Sequence, residues 1–251
     1  MIDKLPEALQ LRTDKQWQQL SEKQGADNPV TDDKLRAEMQ WVLALSDFVS
    51  QSLQRDTALL FDLISSSDLF ESYRDSQYAE RLATILADCR DEKQLGELLR
   101  KFRRREMVRI AWRDLAGRAD LIETTCDLSH LADSCIDMAL SSLYEWHCTQ
   151  WGTPFNDAEE QQRLVVLAMG KLGAYELNFS SDVDLIFCYP EDGETRGARR
   201  TISNQEFFIK LGQALIRSLD ATTAHGFVFR VDMRLRPFGE SSVLAVSFDA
   251  M

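Results

Sequence analysis

The sequence predicts an α+β protein in which a helical bundle comes first and a mixed sheet with flanking helices follows. Three observations carry that prediction. Glycine and proline are unevenly placed: residues 1–150 hold only Gly25, Gly96 and Gly117 of the eleven glycines, and no proline lies between Pro29 and Pro154. Both residues punctuate local structure, so the first stretch reads as long helices and the rest as short strands, turns and helices. Apolar residues recur at spacings of three and four in the first stretch, whereas continuous or alternating apolar runs replace that period in the second. The domains expected are a helical region over 1–155 and an α/β core over 156–251.

Each element follows from its pattern. Trp41, Leu45, Phe48, Val49 and Leu53 make the stripe of one amphipathic helix, and Leu82, Ile85 and Leu86 that of another. Leu99, Phe102, Met107, Ile110 and Ala111 mark the apolar side of a helix around 98–115. Arg100, Lys101, Arg103, Arg104, Arg105, Arg109 and Arg113 crowd the same helix, and two readings stand: a solvated face pairing with this acidic chain, or a surface for phosphate or a partner. Another helix is expected over 128–147, carrying Leu131, Cys135, Met138, Ala139 and Leu143. Leu164–Met169 is wholly apolar, which suits a buried strand, and it runs straight into Gly170-Lys171-Leu172-Gly173. Asp182–Tyr189 is a second strand, closed by Pro190 and a Glu191-Asp192-Gly193 turn. Ser203 with Glu206 forms a capping box that opens a helix with Phe207, Leu211, Leu215 and Leu219 on one face. Phe227–Arg236 alternates, with Phe227, Phe229, Val231, Met233 and Leu235 on one side and Val228, Arg230, Asp232, Arg234 and Arg236 on the other.

Composition bounds the function. With 44% hydrophobic and 28% charged residues in a chain of 251, a sizeable core is available without disulfides or structural metals. The five cysteines are scattered without a CxxC pair, and three histidines offer no zinc-ligand spacing. The cysteines read as small buried hydrophobes, and a reducing cytoplasm is the expected home. The start lacks the order of a secretory signal. No apolar run approaches the ~18 residues that span a bilayer, so no membrane partner is expected. A net charge of −12, from 29 Lys and Arg against 41 Asp and Glu, argues against nucleic acid as a partner. It leaves room for a small basic pocket that grips one phosphate.

Asp182 and Asp184 stand two apart on an expected strand, so their carboxylates share a face, and hard oxygens at that spacing suit Mg²⁺. Asp232 adds a third acid from another strand, and three carboxylates on neighbouring strands suit metal-assisted phosphoryl displacement. The pair alone also reads as two solvated acids at a strand end. Its surroundings favour the metal: a glycine turn at Gly170, Lys171 and Gly173 whose N–H groups suit phosphate oxygens, Ser180 and Ser181 just before the pair, and Arg230, Arg234 and Arg236 on the third acid's face. Gly170 and Gly173 equally suit a tight strand-to-helix turn with no ligand. The turn is neither a Walker loop nor a Rossmann fingerprint. His225 reads as a turn residue.

The stretch AMGKLGAYELNFSSDVDLIF, followed by RVDMRLRPFGESS, resembles the nucleotidyltransferase core of the glutamate–ammonia-ligase (glutamine synthetase) adenylyltransferase family, which belongs to the DNA polymerase β-like nucleotidyltransferases. SDFVSQSL and LRKFRRREMVRIAWRDL resemble its helical leader, so the likeness runs from about Trp41 onward. The family carries two such cores, one attaching AMP to a tyrosine of glutamine synthetase and one removing it. ELNFSSDVDL looks like the amino-terminal, adenylyl-removing version, so the chain is expected to be an amino-terminal fragment that ends soon after the third acid. The resemblance implies Mg²⁺-dependent phosphorolysis, in which orthophosphate attacks the AMP phosphorus and ADP leaves. Asp182, Asp184 and Asp232 would hold the metal; Gly170, Lys171, Gly173, Ser180, Ser181, Arg230, Arg234 and Arg236 would hold phosphate or nucleotide (AMP, ADP or ATP). Adenylylated glutamine synthetase is the implied protein substrate, and a PII-type signalling protein the implied regulator. Lys171 stands where the superfamily has a small residue, and Ala168, Ala174 and Tyr175 stand where more glycine is expected. The rivals are ATP-dependent adenylylation in the forward direction, uridylylation of a PII-type protein, and a non-catalytic docking module.

Overall fold

The computed structural model describes residues 5–24, 30, 32–235 and 243–251. Its helices are α1 (Glu7–Gln24), α2 (Asp33–Leu45), α3 (Asp47–Arg55), α4 (Ala58–Ser65), α5 (Gln77–Leu86), α6 (Glu92–Leu115), α7 (Leu121–Trp151), the single turn α8 (Gly170–Gly173) and α9 (Asn204–Asp220). The strands are β1 (Thr153–Asn156), β2 (Val165–Met169), β3 (Val183–Tyr189), β4 (Gly193–Arg196), β5 (Val231–Asp232) and β6 (Ala245–Ser247). The α+β class holds. Two compact units emerge, residues 1–74 with 104–128 and residues 75–103 with 129–251. This division by packing differs from the division in chain order because α6 and α7 each run through both units.

The first unit is helical and packs around Leu20, Met39, Leu43, Leu53, Leu60 and Trp112. The stripe from Trp41 to Leu53 is not one helix. Ser46 ends α2 and caps α3, its hydroxyl accepting from Val49 N at 3.2 Å. A serine that satisfies a backbone N–H in this way competes with helix continuation. The turn leaves Leu45 and Phe48 exposed, at 45% and 40%.

The arginine-rich helix pairs with the chain's own acids, as the first reading has it, but most of its cations are withdrawn from solvent. Arg109 is fully buried: it pairs with Asp127 at 2.9 Å, donates to the carbonyls of Asp68 and Glu71, and lies over the Tyr73 ring. Arg105 pairs with Asp62, Asp68 and Glu106, and buried Arg113 pairs with Glu123 at 2.6 Å. In the second unit, buried Arg100 donates to the carbonyls of Gly96, Ala221 and Gly226. Of the seven cations only Lys101 is exposed. Most of these guanidiniums fasten loops and helix ends to α6.

In the second unit β3 is the central strand. It pairs antiparallel with β2 along one edge and parallel with both β5 and β6. Since a strand has two edges, β5 and β6 lie end to end along the other one. A second sheet joins β1 to β4 antiparallel. The apolar run of β2 is only half-buried, because β2 is an edge strand. In α5, Leu82 and Leu86 are buried while Ile85 faces out. In α9, Phe207, Leu211, Leu215 and Leu219 are all buried, as their spacing predicts. Only half of the capping box forms: Ser203 accepts from Glu206 N, while the Glu206 carboxylate turns to Lys210.

The alternation over 227–236 does not make one long strand. Val228 and Phe229 are both buried, and both of their N–H groups donate to the Leu219 carbonyl at the end of α9, at 2.8 and 3.1 Å. Donors held by a helix end are not available to a strand ladder. Pairing resumes only at Val231–Asp232, and the Asp232 carboxylate then accepts from Arg234 N and turns the chain. Leu235, on the apolar side of the expected strand, is 51% exposed while Phe229 is buried. Arg236 lies outside the described residues.

Candidate active site

The site is built where β3 starts. Val183 N donates to the Arg230 carbonyl at 2.9 Å, which sets β5 beside β3 in parallel register. That register places Asp184 directly opposite Asp232. Asp182 precedes Asp184 by two residues at the mouth of the strand and is exposed. Two of the three sequence-expected acids thus stand opposite one another, and the charge of the third, Asp182, reaches Asp184. The Asp184 carboxyl is raised above the usual carboxylate range by partial burial, then by the charges of Asp182 and Asp232, with Arg234 opposing. The Asp232 carboxyl is lowered, because Arg234 hydrogen-bonds it through side chain and backbone. Arg234 Nε lies 2.7 Å from Asp232 Oδ2, and its Nη2 donates to the same oxygen.

On the other edge of β3, Asp184 lies opposite Met169, the last residue of β2. Gly170 follows at φ +56°, and a Cβ there would stand 2.8 Å from Asp184 Oδ2. Only glycine combines that backbone with so close an approach to the carboxylate. At Gly173 a Cβ would meet the Ala168 carbonyl at 2.5 Å, so this glycine lets α8 fold back on β2. Lys171 is exposed on α8.

The loop into β3 carries the two serines. Ser181 N and Oγ donate to the carbonyl and side-chain oxygens of Asn178, at 3.2 and 2.7 Å, forming a turn just before Asp182. Ser180 offers its carbonyl to Arg230 Nη2 at 2.9 Å. Arg230 therefore clamps this loop twice, through its guanidinium and its own carbonyl. Arg103 of α6, one of the clustered cations, packs over Phe227 and Phe229, and Phe227 also lies near the Arg230 guanidinium. His225 sits in the Thr223–Gly226 turn, consistent with a turn role.

A divalent cation is chemically suited to this donor set. Every candidate ligand is a hard carboxylate oxygen, and the acids already draw a guanidinium among them. Among the described residues no group of three or more acidic, histidine or cysteine side chains stands ready to hold a metal ion. Mg²⁺ does not require one: it commonly takes one or two protein carboxylates and completes its shell with water and substrate phosphate.

The tether of the loop also escaped the sequence. Tyr175 (φ +58°) and Leu177 both meet α7, at His130 and Ser129. The available signal was Tyr175 standing where glycine was expected.

Among the described residues no helix is long and apolar enough to cross a membrane. A family model described as glutamate-ammonia ligase adenylyltransferase matches residues 36–251. The bifunctional glutamine synthetase adenylyltransferase/adenylyl-removing enzyme of Pseudomonas aeruginosa is 54% identical over 211 residues, covering 84% of this chain and 22% of that protein. Its namesake from Nitrosococcus oceani is 49% identical over 254 residues, covering 100% of this chain and 26% of that protein. The one from Shewanella loihica is 44% identical over 247 residues, covering 98% and 26%. The chain thus spans about a quarter of the length of these relatives.

Proposed function

Because the chain belongs to the glutamate-ammonia ligase adenylyltransferase family, we propose that its second unit is a nucleotidyltransferase core that removes AMP from a tyrosine of glutamine synthetase. The observation that carries this reading is the register pairing of Asp184 with Asp232, with Asp182 two residues upstream. Such a cluster has a use where negative charge must be neutralised during transfer of a phosphoryl or nucleotidyl group.

Asp184, with Asp182 or Asp232, would hold Mg²⁺, which supplies charge neutralisation on the attacking and leaving oxygens. Arg234, which bonds Asp232, would be free to hold a phosphate oxygen if a cation held the acids. Arg230 holds the Asn178–Ser181 turn against β5 through the Ser180 carbonyl, and Ser180, Ser181 and Lys171 would contact phosphate. Gly170 leaves the Asp184 carboxylate uncrowded on the α8 side. In the reaction, an oxygen of hydrogen phosphate bonds to the AMP phosphorus. The bond from that phosphorus to the tyrosine oxygen breaks. The products are ADP and tyrosine, whose phenol takes the proton that hydrogen phosphate brought. We place the reaction in the cytoplasm, under control of a PII-type signalling protein.

Incubation with adenylylated glutamine synthetase, Mg²⁺ and orthophosphate tests both chemistry and direction. ADP should appear only when orthophosphate is present, and Asp184→Asn should abolish it. Incorporation of AMP from ATP into unmodified glutamine synthetase, with no ADP from the adenylylated form, would reverse the direction. Neither reaction would leave a non-catalytic docking module.

A further inference from the structure

The loop between α8 and β3 carries Ser180 and Ser181 and delivers Asp182, yet the segment 174–182 holds no helix or strand. Such a loop keeps a reactive group in place only if something outside it holds the backbone. Part of the restraint is local: Glu176 N donates to the Lys171 carbonyl at 2.8 Å. The rest comes from one turn of α7. Ser129 Oγ accepts from Leu177 N at 3.2 Å, and the Leu177 side chain is buried. The Tyr175 ring meets His130 edge-on, with centroids 5.2 Å apart. Asp133, one turn beyond Ser129, stands close enough to the Tyr175 hydroxyl for its charge to raise the phenol.

Tyr175 is the informative member. A non-glycine residue held at φ +58° costs on the order of 1 kcal/mol and persists when its surroundings over-determine it. Here those surroundings are the helix-end bonds Tyr175 N to Leu172 O and Glu176 N to Lys171 O, with the His130 ring and the Asp133 carboxylate beside the side chain. Their electrostatics agree with the geometry: the charge of Asp133 raises the Tyr175 phenol. Burial raises the Asp133 carboxyl itself, and the tyrosine hydroxyl offsets that shift.

We infer that Ser129, His130 and Asp133 form a positioning platform on α7 that holds the α8–β3 loop through Tyr175 and Leu177 and so sets the placement of Asp182. The inference rests on the proposed adenylyl-removing reaction only for its kinetic consequence. The three α7 residues are positioning residues, since none of them belongs to the acid cluster.

Two readouts separate the platform from the reaction. Hydrogen exchange in Ser129→Ala and Tyr175→Gly should speed the amides of 175–182 by about tenfold or more, while Ser129→Thr, which keeps the hydroxyl, stays near wild type. In ADP formation, Ser129→Ala and Tyr175→Phe should lower kcat by about tenfold with KM for adenylylated glutamine synthetase unchanged, and Ser129→Thr should restore it. Unchanged exchange in Ser129→Ala and Tyr175→Gly overturns the platform. So does a loss of kcat that only follows a fall in Tm. If the wild type forms no ADP, the reaction fails as a reading, and hydrogen exchange alone decides the platform.

Discussion

Two sets of charges in this molecule are handled in opposite ways. In the first unit, Arg105, Arg109 and Arg113 each meet a carboxylate, and Arg109 and Arg113 also take backbone carbonyls of the segment 68–71. In the second unit, Asp182, Asp184 and Asp232 gather at one strand mouth, and Arg234 bonds only the last of them. Matched, buried charges fasten structure. Acids in excess at an accessible strand end repel one another, and that repulsion is relieved when a cation arrives. Ionic residues in one chain thus divide by compensation: the balanced set builds the fold, and the unbalanced set is the one proposed above for chemistry.

Breaking one balanced pair should have the largest effect. Arg109→Ala leaves Asp127 buried without its guanidinium and should cost about 3–5 kcal/mol in urea unfolding. A loss under about 1 kcal/mol would place Arg109 with ordinary surface pairs. Removing one of the unbalanced acids should do the reverse. Asp184→Asn should lower ADP formation by about a hundredfold or more without loss of fold, checked by steady-state kinetics and circular dichroism. Arg234→Ala sharpens the contrast further. With its competing guanidinium gone, the cluster should bind a divalent cation up to about fivefold more tightly, the scale of an exposed ion pair, while turnover falls.

The smallest effect concerns pH. The Asp184 carboxyl is raised by burial and then by its acidic neighbours. A carboxyl raised in the folded state favours folding below the ordinary carboxylate range, and that contribution is lost as pH rises through the folded value. In metal-free buffer, Asp184→Asn should therefore raise Tm slightly at neutral pH, and the gain should vanish in acid. A gain that persisted in acid would trace to something other than charge.

Local patterns were legible where they depend on the chain alone. The buried face of α9, the Ser203 cap, the strand leading into the glycine turn and the spacing of Asp182 and Asp184 all follow from nearest-neighbour geometry. What escaped depends on competing partners, most of them distant in sequence. The break at Ser46 pits a helical stripe against a competing hydroxyl, and the stripe alone does not register the competitor. The arginines of α6 look solvated until Asp68, Glu71 and Asp127 close over them. The alternation after Phe227 looks like a strand until the end of α9 claims the N–H groups of Val228 and Phe229. Each acid of the site was visible, but the pairing of Asp184 with Asp232 is a register, and register belongs to the sheet.

The central claim is that these acids act together on one cation. Titration of Mn²⁺, followed by electron paramagnetic resonance, into the wild type and Asp184→Asn tests it without any turnover. Saturable binding to the wild type is expected, with binding weaker by about tenfold or more in the variant. Equal affinity in the two proteins would contradict it.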